Sequence, residues 1–147
     1  MDESIKQALT TISGRLIPLK EKLGITANIC SKAGQQPTGR ALTEVANLAD
    51  NSHSLIEMLT SGDKEPHRPE MIDIFTKVGA WVSLCEQFCI TALVTESDHE
   101  LRSLFAEILP ELVRLEQPVM QILSAVSQSQ SSGNQPLSEM TQSGRKS

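Results

Sequence analysis

The sequence predicts an all-α fold, an up-down bundle of four kinked helices followed by a disordered C-terminal tail. Apolar residues recur at alternating spacings of three and four through four separate segments, the mark of amphipathic helices. Aromatic residues make up only 3% of the chain and Tyr is absent, whereas strand-built cores lean on aromatic and β-branched side chains. The 147 residues are 39% apolar and 21% charged, enough to bury one core without disulfide or metal staples. The bundle is assigned to residues 1–126 and the tail to residues 127–147.

In the first segment, from Ser4 to about Leu23, Ile5, Leu9, Ile12, Leu16, Leu19 and Leu23 share one helical face. Pro18 predicts a kink or interruption, because it removes a backbone donor and crowds the preceding turn, and Gly24 predicts a stop. Residues 25–39, with Gly34, Pro37 and Gly39, read as a long connection holding at most a short helical turn around Ile29 and Cys30. A second helix from about Thr38 to Leu59 places Ala41, Val45, Leu48, Ser52, Leu55 and Leu59 on its stripe, widened by Ala46, Ala49 and Ile56.

Pro66 and Pro69 bracket the next turn, and Pro69 suits the first position of a helix running to about Thr95. This third helix carries two apolar stripes. Met71, Phe75, Val78, Val82, Cys85, Cys89 and Ala92 form one; Ile74, Trp81, Leu84 and Phe88 lie beside it. Ser97 or Asp98 caps a fourth helix, in which Leu101, Phe105, Ile108, Leu112, Leu115, Val119, Ile122 and Val126 hold one register across Pro110 and Pro118. A register that survives both prolines indicates one bent helix or two collinear pieces. Beyond Val126 the Ser/Gln-rich run has no periodic apolar residue to offset its ordering entropy, hence the expectation of a disordered tail or linker.

Charge adds a packing expectation. Residues 96–116 hold six acidic side chains against Arg102 and Arg114, whereas residues 1–24 hold four basic side chains against three acidic ones. An up-down bundle sets its first and last helices side by side, where these signs match.

The net charge of −5 disfavours phosphate backbones and anionic lipid, so nucleic acid is excluded as a main partner. No run reaches the roughly 20 consecutive apolar residues of a membrane span, and the N-terminus Met1-Asp2-Glu3-Ser4 lacks the basic-then-apolar order of a signal peptide. A cytoplasmic location is expected. Cys30, Cys85 and Cys89 are odd in number without CxxC spacing, which predicts reduced, buried thiols.

No Ser/His/Asp arrangement or glycine-rich phosphate loop can be assembled, no cofactor is implied, and a metal site finds no ligand set. Glu96 and His99 form a single Glu-x-x-His where carboxylate-bridged di-iron bundles need two. His53 and Glu57 share a face, but no His-Glu-x-x-His accompanies them. Gly14 and Gly79, isolated within helical pattern, suggest close helix packing.

The segment Asp98-His99-Glu100-Leu101-Arg102-Ser103 resembles the phospho-acceptor box of sensor histidine kinases, with Leu104 where that box has Pro. The resemblance implies a phospho-acceptor role for His99. In a histidine-phosphotransfer bundle His53 is the alternative acceptor, although Ile56 and Glu57 replace the Lys and Gly usual there. The principal expectation is an intracellular protein–protein interaction module, an adaptor, chaperone-like or assembly protein. Its partner, another protein or a second copy, docks on the ridge formed by Ile74, Trp81, Leu84 and Phe88.

Overall fold

The computed structural model describes residues 3–61 and 67–134, with side chains described as far as Gln128. Four helices account for nearly all of them: α1 (Glu3–Lys32), α2 (Gln36–Ser61), α3 (Arg68–Thr95) and α4 (His99–Asn134), with no strand among the described residues. The packing is uneven. α1 lies against both α2 and α4, α3 lies against α4, and the α2–α3 contact is much the sparsest of the four.

α1 runs straight through the expected stop at Gly24, and residues 25–39 are not a long connection. Its buried stripe continues past Leu23 as Thr26, Ala27 and Cys30, side chains too small or polar to read as a periodic apolar signal. The Thr26 hydroxyl, fully buried, donates to the Lys22 carbonyl at 2.8 Å and so carries no unsatisfied polar group into the core. The helix ends at Lys32, and Gly34 just beyond it has a φ of 84°, in the left-handed region. Gln35 N–H reaches back to the Cys30 carbonyl at 2.8 Å and Gly34 N–H to the Ser31 carbonyl at 3.2 Å, the paired bonds that close a helix around a left-handed residue. Gly24 has no such backbone, and the missing side chain there faces open space.

α2 is rotated relative to the expected stripe. Gly39, Leu42, Ala49, Ser52, Ile56 and Leu59 are its buried residues, while Leu48 and Leu55 are 43% and 42% exposed. Close approach to α1 explains the choice. A side chain at Gly39 would collide with the Ser31 hydroxyl and come within 3.0 Å of the Ala27 carbonyl, so the glycine permits this crossing. Close packing was expected at Gly14 and Gly79 instead; Gly14 meets nothing within 4 Å, and Gly79 has ordinary room beside Val119.

α3 starts at Arg68 with Pro69 in its first turn and is closed at the other end by Glu96, whose N–H bonds to the Ala92 carbonyl. It contains an 18-residue window of mean hydropathy 1.4, long and apolar enough by composition to cross a membrane, with 33% of that window buried in the bundle. That average is reached without a run of roughly 20 consecutive apolar residues: a core stripe combined with exposed Leu84, Ile90 and Val94 makes α3 apolar around much of its circumference.

α4 is one helix, as its unbroken register requires. Leu101, Phe105, Ile108, Leu112, Leu115, Val119, Ile122 and Val126 are all buried. Asp98 caps it, one side-chain oxygen accepting the Leu101 N–H at 3.1 Å. α4 extends to Asn134 and so takes in the first eight residues of the expected tail: an established helix gains one hydrogen bond for each residue it adds and can run past its last buried residue, although Ser, Gly and Asn are weak helix formers. Residues 135–147, which the expected tail also includes, lie outside the described residues.

The α1–α4 charge match is realised. Lys22 pairs with Glu111 at 3.2 Å across the seam, and Arg114 joins the same carboxylate at 3.5 Å. Arg15 does something more specific. Its guanidinium donates to the Arg114 carbonyl at 2.6 Å. That carbonyl lies four residues before Pro118 and would otherwise accept the N–H that proline lacks. A side chain of α1 therefore supplies the donor that lets α4 pass through a proline without leaving a polar group unpaired.

Candidate functional site

The four residues expected to form one docking ridge divide between core and surface. Ile74 and Trp81 are buried, at 7% and 6% exposure. The Trp81 indole N–H donates to the Ser52 hydroxyl at 3.2 Å, so the ring faces α2 and its polar edge is satisfied inside the bundle. Phe88 is half-buried, its ring packed on Phe105 of α4 with centroids 5.9 Å apart. Leu84 alone projects fully, 72% exposed. The seven-residue spacing places these positions on one side of α3 but does not decide how deep α2 lies over each. α2 covers the middle of that side.

Where α2 begins and α3 ends, the sparse contact opens into a groove of about 460 Å³. Leu84, Phe88 and Ala92 form its α3 wall, Gln35 and Thr38 its opposite edge, and Phe105 contributes from α4. Glu96 closes the polar end, its Oε2 accepting from the Asp98 backbone N–H at 3.0 Å and from the Gln35 side-chain amide at 3.4 Å. Leu48 and Leu55 flank Ser52 at helical spacing, four residues before and three after it. Since Ser52 meets Trp81, that spacing sets both leucines along the α3-facing side of α2, where they stay partly exposed.

The histidines occupy different settings. His53, half-buried on α2, lies 3.7 Å from Glu57, an intrahelical pair one turn apart. His99 is exposed at the first residue of α4, between Asp98 and Glu100. Glu96 is engaged as the C-cap of α3 and through its contacts to Gln35 and Asp98. No group of three or more His, Cys, Asp or Glu side chains that could hold a metal ion occurs among the described residues.

The three thiols are free and buried. Cys85 and Cys89, one turn apart on α3, interact directly. Cys89 is held far above a thiol's ordinary range, chiefly by its hydrogen bond to Cys85, and the same bond lowers Cys85. Burial is the main cause that raises Cys30.

One residue escaped the sequence reading altogether. Glu86 falls four residues after Val82 and three before Cys89, in register with the core stripe of α3, and is buried. An acidic side chain at a core register was the available signal; an apolar count passes over it. No protein-family model, no curated protein and no solved structure matches this chain.

Proposed function

We propose that this chain is a protein–protein interaction module, acting in the cytoplasm without a catalytic group, and that it receives its partner on the α2–α3 side. The supporting observation is the groove between those helices, walled by Leu84 and Phe88, with Leu48 and Leu55 exposed along the same side of α2. Clustered apolar exposure of this kind marks a surface that another protein covers. The sparse contact between α2 and α3 also leaves space for an added helix, which would bury these four side chains in the manner of helix-in-groove recognition. A cytoplasmic setting keeps the three thiols reduced.

Leu84→Asp tests this reading, because Leu84 is exposed and its replacement leaves the core untouched. The expected result is an unchanged melting transition together with loss of self-association in light scattering, or loss of proteins retained from the native cytosol. Identical self-association and identical retained proteins for Leu84→Asp and the native chain would overturn the proposal.

A further inference from the structure

Glu86 carries the only buried side-chain oxygen among the described residues that has no hydrogen-bond partner, Oε2, and the residue as a whole is 9% exposed. A carboxylate oxygen held away from water without a partner is strongly disfavoured while the group stays charged. Here burial, with hydrogen bonding and like charge from Glu116 across the seam on α4, raises the Glu86 carboxyl to about 7. Along its own helix Glu86 acts electrostatically on the Cys85 and Cys89 thiols, and no ion pair among the described residues involves Glu86 or Glu116. Among the described residues the pair thus lacks a cation.

Glu86 forms part of a cleft of about 240 Å³ between α3 and α4. Glu116 and Ser83 also border it, and Val82, Val119 and Met120 supply apolar wall. This is smaller than the roughly 300 Å³ at which sites for drug-sized ligands begin. Among the described residues no third His, Cys, Asp or Glu joins the two carboxyl groups to hold a metal ion there. An alkylammonium ion matches each feature: its nitrogen offers three donors to two carboxyl groups, and its methylene stem lies against apolar side chains.

We propose that the α3–α4 cleft is a binding site for a primary alkylammonium group, with the nitrogen between Glu86 and Glu116 and the stem against Val82, Val119 and Met120. The site does not depend on the groove between α2 and α3. Such a group comes either from a lysine side chain of another protein or from a free aliphatic amine. Binding draws the proton off Glu86, so affinity rises with pH up to about 7 and levels off above it.

The test is titration of the isotope-labelled full chain with n-butylammonium chloride, followed by nuclear magnetic resonance, beside n-butanol as a neutral isostere and sodium chloride as a salt control. Saturable changes in resonance position are expected at Gly79, Ser83 and Val119, with n-butanol at least tenfold weaker. Affinity should fall roughly tenfold for each pH unit below 7, the behaviour of one competing proton. Glu86→Gln should weaken binding about tenfold or more and remove that pH dependence. Ser83→Phe, at an exposed border position, should block the cleft while leaving the fold intact. Comparison of Nα-acetyl-lysine methylamide with 1,5-diaminopentane then separates the two sources, the tighter ligand naming its own. The proposal is overturned if none of these amines binds, if n-butanol binds as well as n-butylammonium, or if Glu86→Gln binds like the native chain.

Discussion

Trp81 and Glu86 sit five residues apart on α3, and their surroundings give them opposite energetics. The buried Trp81 ring has its N–H satisfied by Ser52, so Trp81→Ala should cost about 3–5 kcal/mol and collapse the thermal transition. Ser52→Ala, which leaves the indole N–H unpaired, should cost about 1–3 kcal/mol, read from denaturant midpoints. Glu86 instead lowers stability at neutral pH. Its carboxyl, raised from an ordinary value near 4.5 to about 7, binds its proton more tightly in the folded chain than in the unfolded one. The stability this supplies is complete below pH 4.5 and is lost as pH rises through 7. Between pH 5 and pH 8 the native chain should therefore lose stability, on the order of 3 kcal/mol, since each tenfold difference in proton affinity between the folded and unfolded chain is worth about 1.4 kcal/mol. Glu86→Gln should flatten that dependence and melt higher than the native chain at pH 8. A pH profile parallel to that of the native chain would assign the effect elsewhere. The spacing of α3 sets Trp81 beside the core stripe, on the expected docking ridge, and gives no apolar signal at Glu86; the depth of each was not legible, because it is set by α2 over Trp81 and by α4 over Glu86.

At the scale of the helices, glycine and proline mattered through what lay opposite them. Gly24 is helical, exposed and faces open space, so Gly24→Ala should stabilise α1 by about 0.5–1 kcal/mol. Gly39→Ala should do the reverse, costing about 1–3 kcal/mol, because the added carbon meets the Ser31 side chain and the Ala27 backbone. Both are checked by the same melting series, and equal changes in melting temperature would contradict the close α1–α2 crossing. Pro118 invites a double-mutant cycle. Arg15→Ala should cost about 1 kcal/mol in the native chain and distinctly less beside Pro118→Ala, since α4 then supplies its own donor to the Arg114 carbonyl. Additive effects would show that Arg15 acts through charge alone. The prolines were visible in the sequence as potential breaks; the rescue of Pro118 was not, because its donor comes from a residue far away in the chain.

For the molecule as a whole, the core ends at Val126, the last buried residue described on α4. A chain ending at Gln128 should keep the complete melting transition, whereas one ending at Leu115 should lose it with the loss of Val119, Ile122 and Val126 from the core; circular dichroism distinguishes the two. The sequence by itself determined the class of fold, four helices, the register of α4 and the burial of all three thiols, because these follow from the 3.6-residue repeat and from side-chain polarity. It did not determine where α1 stops, which face α2 buries, or how the second stripe of α3 divides. Periodicity fixes directions around a helix axis, whereas burial depends on how closely a second helix approaches from each direction. Gly39 draws α2 onto α1, α2 and α3 make only sparse contact, and Glu86 is enclosed against α4; tertiary packing alone decided these, and with them the positions of the groove and the cleft.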